Sequence, residues 1–290
     1  MGPVSEPSST AYPPITDRPV RWGLLAAGRI ARAFAQAVAA AEGGEVVAVA
    51  ARDAGRAQAF ADDLGVPRAY GDYAELLADP EVDVVYISST HPFHADQAVA
   101  ALRAGRHVVV EKPTALTVRD TERVFDLDNG GGALLDIGIY PVTLAHLLLG
   151  HPTDVQVLGS RVPTGADDLV GLQWMTREGA VAQVLCDSRS SGASRTVVRG
   201  TEGWIEVHGP VNDPEGFTVY RGREPEGELV TGDRRGLVHE VEEVHRCLAA
   251  GLLESPVVPH ADTVAVMTIL ESARRELGVR YPQEDEPLHT

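Results

Sequence analysis

The pattern of hydrophobic and polar positions changes character near residue 128. From Val20 onwards, short apolar runs typical of buried strands alternate with segments of helical periodicity. The strand-like runs are VRWGLLAAG, EVVAVAAR, VDVVYISS and HVVVEKP, and the helix-like segments are RIARAFAQAVAAAEG, AGRAQAFADDLG, AELLAD and HADQAVAALRAG. Because parallel strands are joined by right-handed helical crossovers that cover both faces, this alternation predicts a doubly wound α/β sheet.

The second half of the chain has a different pattern, with apolar alternation interrupted by glycine-containing turns. Its strand-like segments are DVQVLGSRV, DDLVGLQWMTREGAVAQVLCDSRS, SRTVVRGTEGWIEVHG and GFTVYRGREPEGELV, followed by helices in VHEVEEVHRCLAAG and HADTVAVMTILESARREL. Such segments are typical of antiparallel sheet. We therefore expect a doubly wound domain over residues 20–127 and an α+β domain over residues 128–290. The first 19 residues, rich in Pro, Ser and Thr, are expected to be a disordered tail.

Composition narrows the classes of function. The formal net charge of −17 over 290 residues argues against a broad surface for nucleic acid or anionic membrane. Only Cys186 and Cys247 are present, which is too few for a disulfide framework, and no apolar run reaches membrane-spanning length. We therefore expect a cytoplasmic protein without nucleic acid or membrane as partners, and the sequence predicts no metal site.

The turn after the first strand, GLLAAGRIA, is a candidate dinucleotide-binding loop. Such a loop needs small residues, so that the backbone at a helix N-terminus can approach a pyrophosphate. Ala26, Gly28 and Ala31 occupy the three small positions of the G-x-G-x-x-G/A pattern, with alanine in place of the first glycine. An ordinary strand–helix turn is the alternative for this loop taken alone.

The end of the second strand bears on the choice of cofactor. NAD-preferring sites usually place Asp or Glu there to bind the ribose 2′-hydroxyl, whereas Ala51 is followed here by Arg52. A guanidinium can pair with a 2′-phosphate, so the sequence favours NADP, with NAD still possible. A solvated surface arginine is the alternative.

Three stretches together resemble a known family. GLLAAGRIA, STHPFHADQAVAALRAGRHVVVEKPTALT and GGALLDIGIYPVTLAHLLLG are similar to segments of the glucose–fructose oxidoreductase/inositol dehydrogenase (Gfo/Idh/MocA) family, in its dihydrodiol and xylose dehydrogenase branch. The resemblance implies a dinucleotide-binding Rossmann domain followed by a domain with an open antiparallel sheet, and hydride transfer between a nicotinamide and a sugar, polyol or trans-dihydrodiol. It also implies a homodimer formed through the open sheet, here the strands between Asp154 and Val219.

The resemblance assigns candidate residues. The catalytic set is Lys112 of EKP with Asp136 and Tyr140 of DIGIYP. With the loop and Arg52, the cofactor-binding set becomes Ala26, Gly28, Arg29, Ile30, Arg52, Ser89, His91, His94, Glu111 and Lys112. His94 could instead cap its helix. Thr90 stands where the family commonly has proline.

The chemistry of the catalytic set can be argued from the residue types. Oxidation of an alcohol needs a base for the hydroxyl proton, and a tyrosine of ordinary pKa near 10 is a poor base at neutral pH. A nearby lysine ammonium favours the phenolate, and an aspartate can orient either group. Asp136 and Tyr140, four residues apart, are expected on one face of a helix. Asp136 lies in an apolar run, where an aspartate needs a partner or a task.

The spacing of the two catalytic motifs is short. Lys112 and Asp136 are 24 positions apart, and TVRDTERVFDLD runs directly into NGGGALLDIGIY. The family normally carries a long segment there, which supplies a last Rossmann strand, a substrate-binding helix and the first strand of the second sheet. We therefore expect an internal deletion after Leu127. A nucleotide-binding pseudoenzyme and a non-catalytic interaction protein remain alternatives to an active enzyme.

Overall fold

The computed structural model describes residues 13–111, 131–190, 192, 194–224 and 226–282. These form two compact units, the first from residues 13–111 and 236–259, the second from residues 131–235 and 260–282. Lys112 and the site of the expected deletion lie outside the described residues. Among the described helices, none has the length and apolar character that a membrane span requires.

The described strands and helices alternate in the first half and segregate in the second. The strands are β1 (Val20–Leu25), β2 (Gly44–Ala50), β3 (Arg68–Tyr70), β4 (Val84–Ile87), β5 (His107–Val110), β6 (Pro152–Arg161), β7 (Asp167–Thr176), β8 (Val181–Asp187), β9 (Thr196–Gly200), β10 (Gly203–His208), β11 (Gly216–Arg221) and β12 (Glu228–Thr231). The α-helices are α1 (Arg29–Ala40), α2 (Ala54–Leu64), α3 (Tyr73–Ala78), α4 (His94–Arg103), α5 (Ile139–Leu149), α6 (Val238–Ala249) and α7 (His260–Glu276).

The first unit is the predicted doubly wound sheet. Its described strands are parallel in the order β3-β2-β1-β4-β5, so the winding reverses between β1 and β4. In such sheets ligands bind at the carboxyl ends of the strands, beside this reversal. The apolar runs form strands because helices cover both faces, and Trp22, Phe34 and Tyr86 fill the core on one of them.

Strand β3 was not expected from the sequence, because Arg68–Tyr70 is too short to show an apolar run. A buried carboxylate fixes it instead. Asp79, 7% exposed, accepts hydrogen bonds from Arg68 Nε at 2.7 Å and from the Tyr70 hydroxyl at 3.1 Å. Burial raises the pKa of Asp79, but the Glu81 N–H, which donates to Oδ1 at 2.9 Å, outweighs it together with these two bonds and the charge of Arg68, so the pKa lies below its ordinary value.

The first unit extends beyond the expected boundaries in two places. Residues 13–19, expected to belong to a disordered tail, are hydrogen-bonded to this unit. The Ile15 N–H donates to Leu248 O at 3.3 Å, and Arg18 binds both carboxylate oxygens of Asp83 at 2.5 and 2.9 Å. Helix α6, expected in the second domain, also belongs to it. Val241 and other apolar residues of α6 pack in the same core as β1 and α1, which is why residues 236–259 leave the second unit.

The second unit is the predicted α+β domain, with its described strands in two antiparallel sheets. One sheet has the order β6-β7-β8 and the other β12-β11-β10-β9. Asp187 at the end of β8 accepts hydrogen bonds from the N–H groups of Arg189 and Ser190 and from the Ser190 hydroxyl, so the chain turns there. The apolar face of the three-stranded sheet packs with α5 and α7 into one core, which includes Leu134, Trp174 and Leu270.

Candidate active site

The turn between β1 and α1 leaves the N-terminus of α1 open. Gly28 is the N-cap and provides no side-chain cap, and a Cβ atom placed on it would meet nothing within 4 Å. Ala26 adopts φ = 91°, a conformation that suits the glycine usually found there. Arg29 is exposed and Ile30 is half-buried at the start of the helix, whereas Ala31 is fully buried.

This turn fits the pyrophosphate of a dinucleotide. The first N–H groups of a helix lack partners within the helix and carry the positive end of its dipole, so they attract a phosphate. Gly28 lets such a group approach the backbone without steric conflict. The Ser88 hydroxyl, at the end of β4, donates to the carbonyl oxygens of Leu25 and Ala26 at 3.2 and 3.3 Å and thereby supports the turn. Sequence reasoning missed Ser88, since a small polar residue after a strand carries no specific signal.

The end of β2 presents an arginine and no available carboxylate. Arg52 is exposed directly after the buried Ala51. The next residue, Asp53, is engaged as the N-cap of α2, where its Oδ1 accepts the Arg56 N–H at 2.7 Å. The first carboxylate after β2 therefore caps a helix, and Arg52 places a guanidinium at this strand end.

The segment after β4 is ordered by its own hydrogen bonds. His94, 8% exposed, donates from Nε2 to Ser89 O at 2.9 Å, and burial lowers the pKa of its imidazole, which favours the neutral ring. Ser89 Oγ lies 2.5 Å from Gln97 Oε1, and the ring of His91 is 5.8 Å from that of His94. His94 thus holds the loop between β4 and α4. It does not cap α4, the alternative role suggested by the sequence, since this helix has no side-chain cap hydrogen bond.

Glu111 comes directly after β5 and is hydrogen-bonded to the neighbouring strand β4. Its N–H donates to Ile87 O at 2.8 Å, and its Oε1 accepts the Tyr86 hydroxyl at 3.1 Å. Burial raises the pKa of Tyr86, and the charge of Glu111 adds to the effect, so Tyr86 is a neutral donor. Glu111 is therefore fixed at the carboxyl end of β5, directly before Lys112 in sequence.

Asp136 and Tyr140 lie at the start of one helical segment in the second unit. Asp136, 7% exposed, belongs to a π-helical turn over Leu134–Gly138, and its N–H donates to Gly132 O at 3.1 Å. Tyr140 is half-buried in the first turn of α5. The α-helical spacing assumed for these residues is modified by the wider π-turn, a feature that often occurs at functional sites.

The predicted site residues thus fall into two groups. Those of the cofactor set that the structure describes lie at the carboxyl ends of β1, β2, β4 and β5, along one edge of the parallel sheet. Asp136 and Tyr140 lie together in the second unit. Among the described residues, no group of three or more His, Cys, Asp and Glu side chains is arranged to hold a metal ion.

Comparison with known proteins covers both units. A family model described as "Oxidoreductase family, NAD-binding Rossmann fold" matches residues 20–138, and one described as "GFO/IDH/MocA C-terminal domain" matches residues 97–206. Two solved structures share the fold: a 3-ketoreductase from Actinomadura kijaniata (23% identity, TM-score 0.74, 89% of this chain and 98% of the other) and an aldose–aldose oxidoreductase from Caulobacter crescentus (20% identity, TM-score 0.76, 90% and 98%).

Curated relatives align over almost their whole length. Trans-1,2-dihydrobenzene-1,2-diol dehydrogenase from Danio rerio is 29% identical over 332 residues, with 92% of this chain and 99% of the relative covered. The enzyme of the same name from Mus musculus is 30% identical, with 91% of this chain and 99% of the relative covered. Given this match and the two family models, the chain belongs to the Gfo/Idh/MocA family of NAD-binding oxidoreductases.

Proposed function

We propose that this oxidoreductase is an NADP-dependent dehydrogenase or reductase that acts on a CH–OH group of a sugar, a polyol or a trans-dihydrodiol. The observation that carries the proposal is the 30% identity to a trans-1,2-dihydrobenzene-1,2-diol dehydrogenase across 91% of this chain and 99% of the relative. The fold relatives named as a 3-ketoreductase and an aldose–aldose oxidoreductase are in keeping with oxygenated carbon substrates.

The cofactor would bind along the carboxyl edge of the parallel sheet. The N-terminus of α1 would hold the pyrophosphate, because Gly28 places no side chain against it. Arg52 would pair with the 2′-phosphate of NADP, a preference supported by the engagement of Asp53 in capping α2. When bound, the nicotinamide supplies the acceptor or donor of the hydride.

The proton of the substrate hydroxyl would be transferred by side chains of the helical segment that carries Asp136 and Tyr140. Tyr140, half-buried, would take the proton of the substrate hydroxyl during oxidation and return it during reduction. The ammonium of Lys112 would favour the phenolate and bind the reacting oxygen. Asp136, buried in the π-turn, would orient these groups.

Replacement of Tyr140 by Phe tests this assignment. Proton transfer by a placed group is worth roughly 10²–10⁴ in rate, so Tyr140→Phe should lower kcat by about that factor and leave NADPH affinity nearly unchanged. Lys112→Ala should do similar damage, and the double variant should be little worse than either alone. Tyr220→Phe, in β11 of the same unit, is the matched control and should retain full turnover.

The assay is NADPH and NADH binding by fluorescence, followed by turnover on a panel of sugars, polyols and trans-dihydrodiols. Wild-type turnover in Tyr140→Phe would remove tyrosine from the mechanism. Failure of the wild-type protein to bind either nucleotide would instead support a non-catalytic interaction protein.

A nucleotide-binding pseudoenzyme is the second candidate, and one observation favours it. The alignment with the Danio rerio enzyme spans 332 positions, whereas this chain has only 290 residues. Because 99% of the relative and 92% of this chain are covered, the relative has residues within the aligned region that this chain lacks. We place the loss after Leu127, where it would remove substrate contacts. NADPH binding without turnover on any substrate of the panel would support this candidate.

We also propose that the protein is a homodimer formed through the exposed face of the β6-β7-β8 sheet. Leu158 and Leu185 are 81% and 75% exposed, and both lie opposite Gly171 in the register of the sheet. Next to them, a row of glutamines (Gln156, Gln173 and Gln183) is linked by hydrogen bonds across all three strands. Exposed leucines that lie side by side on one face of a sheet are typical of a protein interface.

The cytoplasm is the compartment that we propose for this enzyme. Both cysteines are buried free thiols, which suits a reducing environment. Fractionation of cells that express the full-length chain, with activity or immunodetection as the readout, tests the location.

A further inference from the structure

Asp167 is a buried carboxyl group that contacts the start of the helix with Asp136. It is the first residue of β7, lies 33 positions after Leu134 in sequence, and is 1% exposed. Its Oδ2 accepts the Leu134 N–H at 2.6 Å, and its Oδ1 lies against Gly132, so that a Cβ atom there would collide with it. Oδ1 makes no hydrogen bond to the described residues.

The helix start needs such a partner because its own sequence supplies none. The first N–H groups of a helix have no acceptor within it and are usually satisfied by a Ser, Thr, Asp or Asn at the N-cap. The residue before the π-turn is Ala133, which has no side-chain cap hydrogen bond. Asp167 therefore occupies the chemical role of an N-cap from a neighbouring sheet.

A second contact fixes the chain just before this point. The hydroxyl of Tyr281, near the end of the described chain, donates to Gly131 O at 3.1 Å in a buried position. The guanidinium of Arg274 stacks on the Tyr281 ring at 4.7 Å and donates to Val279 O at 2.8 Å. Gly131 is thus held by Tyr281, whereas the backbone N–H of Leu134, two residues before Asp136, is held by Asp167.

We propose that Asp167 is a positioning residue for the reaction, a remote N-cap that fixes the π-turn with Asp136 and thereby aligns Tyr140. This inference rests on the proposed function, in which those two side chains serve proton transfer. Asp167 would not touch substrate or cofactor. Its effect would pass through the Leu134 N–H and the conformation that it imposes on the five residues of the π-turn.

The neighbouring residue provides a matched control. Asp168, 2% exposed, is as deeply buried as Asp167 but makes different contacts. Its Oδ1 accepts the Ser160 hydroxyl at 2.7 Å, and its Oδ2 pairs with Arg189 Nε at 2.9 Å. Asp168→Ala therefore removes a buried carboxylate from the same strand without releasing the helix.

The experiment compares Asp167→Ala, Asp167→Asn and Asp168→Ala by hydrogen exchange of the backbone amides of residues 133–137, NADPH affinity, kcat and Tm. An N-cap contributes about 0.5–2 kcal/mol, which corresponds to roughly 2- to 30-fold in an opening equilibrium.

Asp167→Ala should lower amide protection by about that factor and lower kcat at least tenfold, with NADPH affinity unchanged. Asp167→Asn should restore both, because its amide oxygen accepts the same N–H. Asp168→Ala should lower Tm and leave protection and kcat close to wild type.

A second pair of variants covers the case in which Asp167→Ala fails to fold. Gly132→Ala displaces the Asp167 carboxyl without removing it, and Gly179→Ala, at φ = 86° with open space around its Cβ, shows whether an alanine at positive φ elsewhere in the unit lowers the protection. Loss of amide protection in Gly132→Ala but not in Gly179→Ala supports the proposal. Unchanged protection in both Asp167→Ala and Gly132→Ala, equal loss in Asp168→Ala, or no rescue by Asp167→Asn overturns it.

Failure of the Asp167 proposal can be distinguished from failure of the proposed function. If the wild-type protein binds NADPH but turns over no substrate, the proposed function has failed, and amide protection alone then decides whether Asp167 holds the helix. If the wild-type protein is active, the proposal requires that protection and kcat fall together in Asp167→Ala and recover together in Asp167→Asn.

Discussion

His245 on α6 is half-buried and is held as a neutral imidazole beside the buried Trp22 of the first unit, which gives the unit a pH-dependent stability. The indole N–H of Trp22, a fully buried residue, donates to His245 Nε2 at 3.1 Å. Nε2 is therefore the unprotonated nitrogen, and Nδ1–H donates to Glu42 O at 3.0 Å. A second proton on the ring would meet the Trp22 donor and break this bond.

The sign and size of the effect follow from these contacts. Burial lowers the pKa of His245 below its ordinary value of 6.5, so the unfolded chain binds the proton more readily than the folded one. The contribution of His245 is therefore present above pH 6.5 and is lost as the pH falls towards the lowered pKa, by at most about 1.4 kcal/mol per pH unit. In His245→Ala, the buried Trp22 N–H has lost its acceptor, which costs about 1–3 kcal/mol at pH 7.5.

The measurement is urea unfolding at pH 7.5 and pH 5.5, followed by the fluorescence of Trp22 in a Trp174→Phe/Trp204→Phe background. His245→Ala should unfold at lower urea at pH 7.5 and should lose less stability on acidification than the wild-type protein. Burial also lowers the pKa of His94 and His107, so only the difference between the two proteins reports on His245.

The exposed His239 on the same helix provides the control, because its replacement by alanine should leave the pH dependence unchanged. If His245→Ala loses as much stability between pH 7.5 and pH 5.5 as the wild-type protein, the neutral bridge is not the cause. The reasoning is also refuted if His239→Ala removes the pH dependence.

Three further changes test other parts of the structure. Ala26→Gly should raise the free energy of unfolding by about 1 kcal/mol, because φ = 91° is strained for alanine, and a higher Tm checks it. Arg52→Ala should weaken NADP binding more than NAD binding, by about 1–3 kcal/mol in a fluorescence titration, and equal losses would contradict the 2′-phosphate contact. Leu158→Lys with Leu185→Lys should convert the proposed dimer into a folded monomer in light scattering, and a monomeric wild-type protein at micromolar concentration would remove the dimer proposal.

The architecture could be predicted wherever a local pattern reports burial. The runs in β1, β2 and β4 are buried on both faces and therefore read as continuous apolar stretches. The place of α6 could not be predicted, because its amphipathic pattern shows that it packs but not on which unit. The contact between Trp22 and His245 joins residues 223 positions apart, and no short stretch of sequence contains that information.

In the candidate site, too, residues marked by a local pattern could be predicted, whereas those defined by a long-range contact could not. Asp136 was identifiable because an aspartate in an apolar run is costly unless it has a task. Asp167 was not, because the pair Asp167–Asp168 before a strand resembles a solvated turn. In the structure the carboxyl groups of Asp167 and Asp168 are both buried, and burial raises the pKa of Asp167 above its ordinary value. Only the approach of β7 to Leu134 reveals its contact with the helix start.

The position of these anchors limits what the expected deletion can have removed. The β1–α1 turn is formed within the first unit, and the start of the helix with Asp136 is held by Asp167 and Tyr281 within the second. None of these residues belongs to the stretch 112–130, so neither arrangement uses a residue of the stretch in which the deletion is expected. A loss of function should then fall on substrate contacts, whose binding energy lowers the barrier of the chemical step. Weak turnover that does not saturate, with normal NADPH affinity and protected amides at residues 133–137, would indicate an enzyme without its substrate pocket. Tight NADPH binding with no turnover at any substrate concentration would indicate a pseudoenzyme.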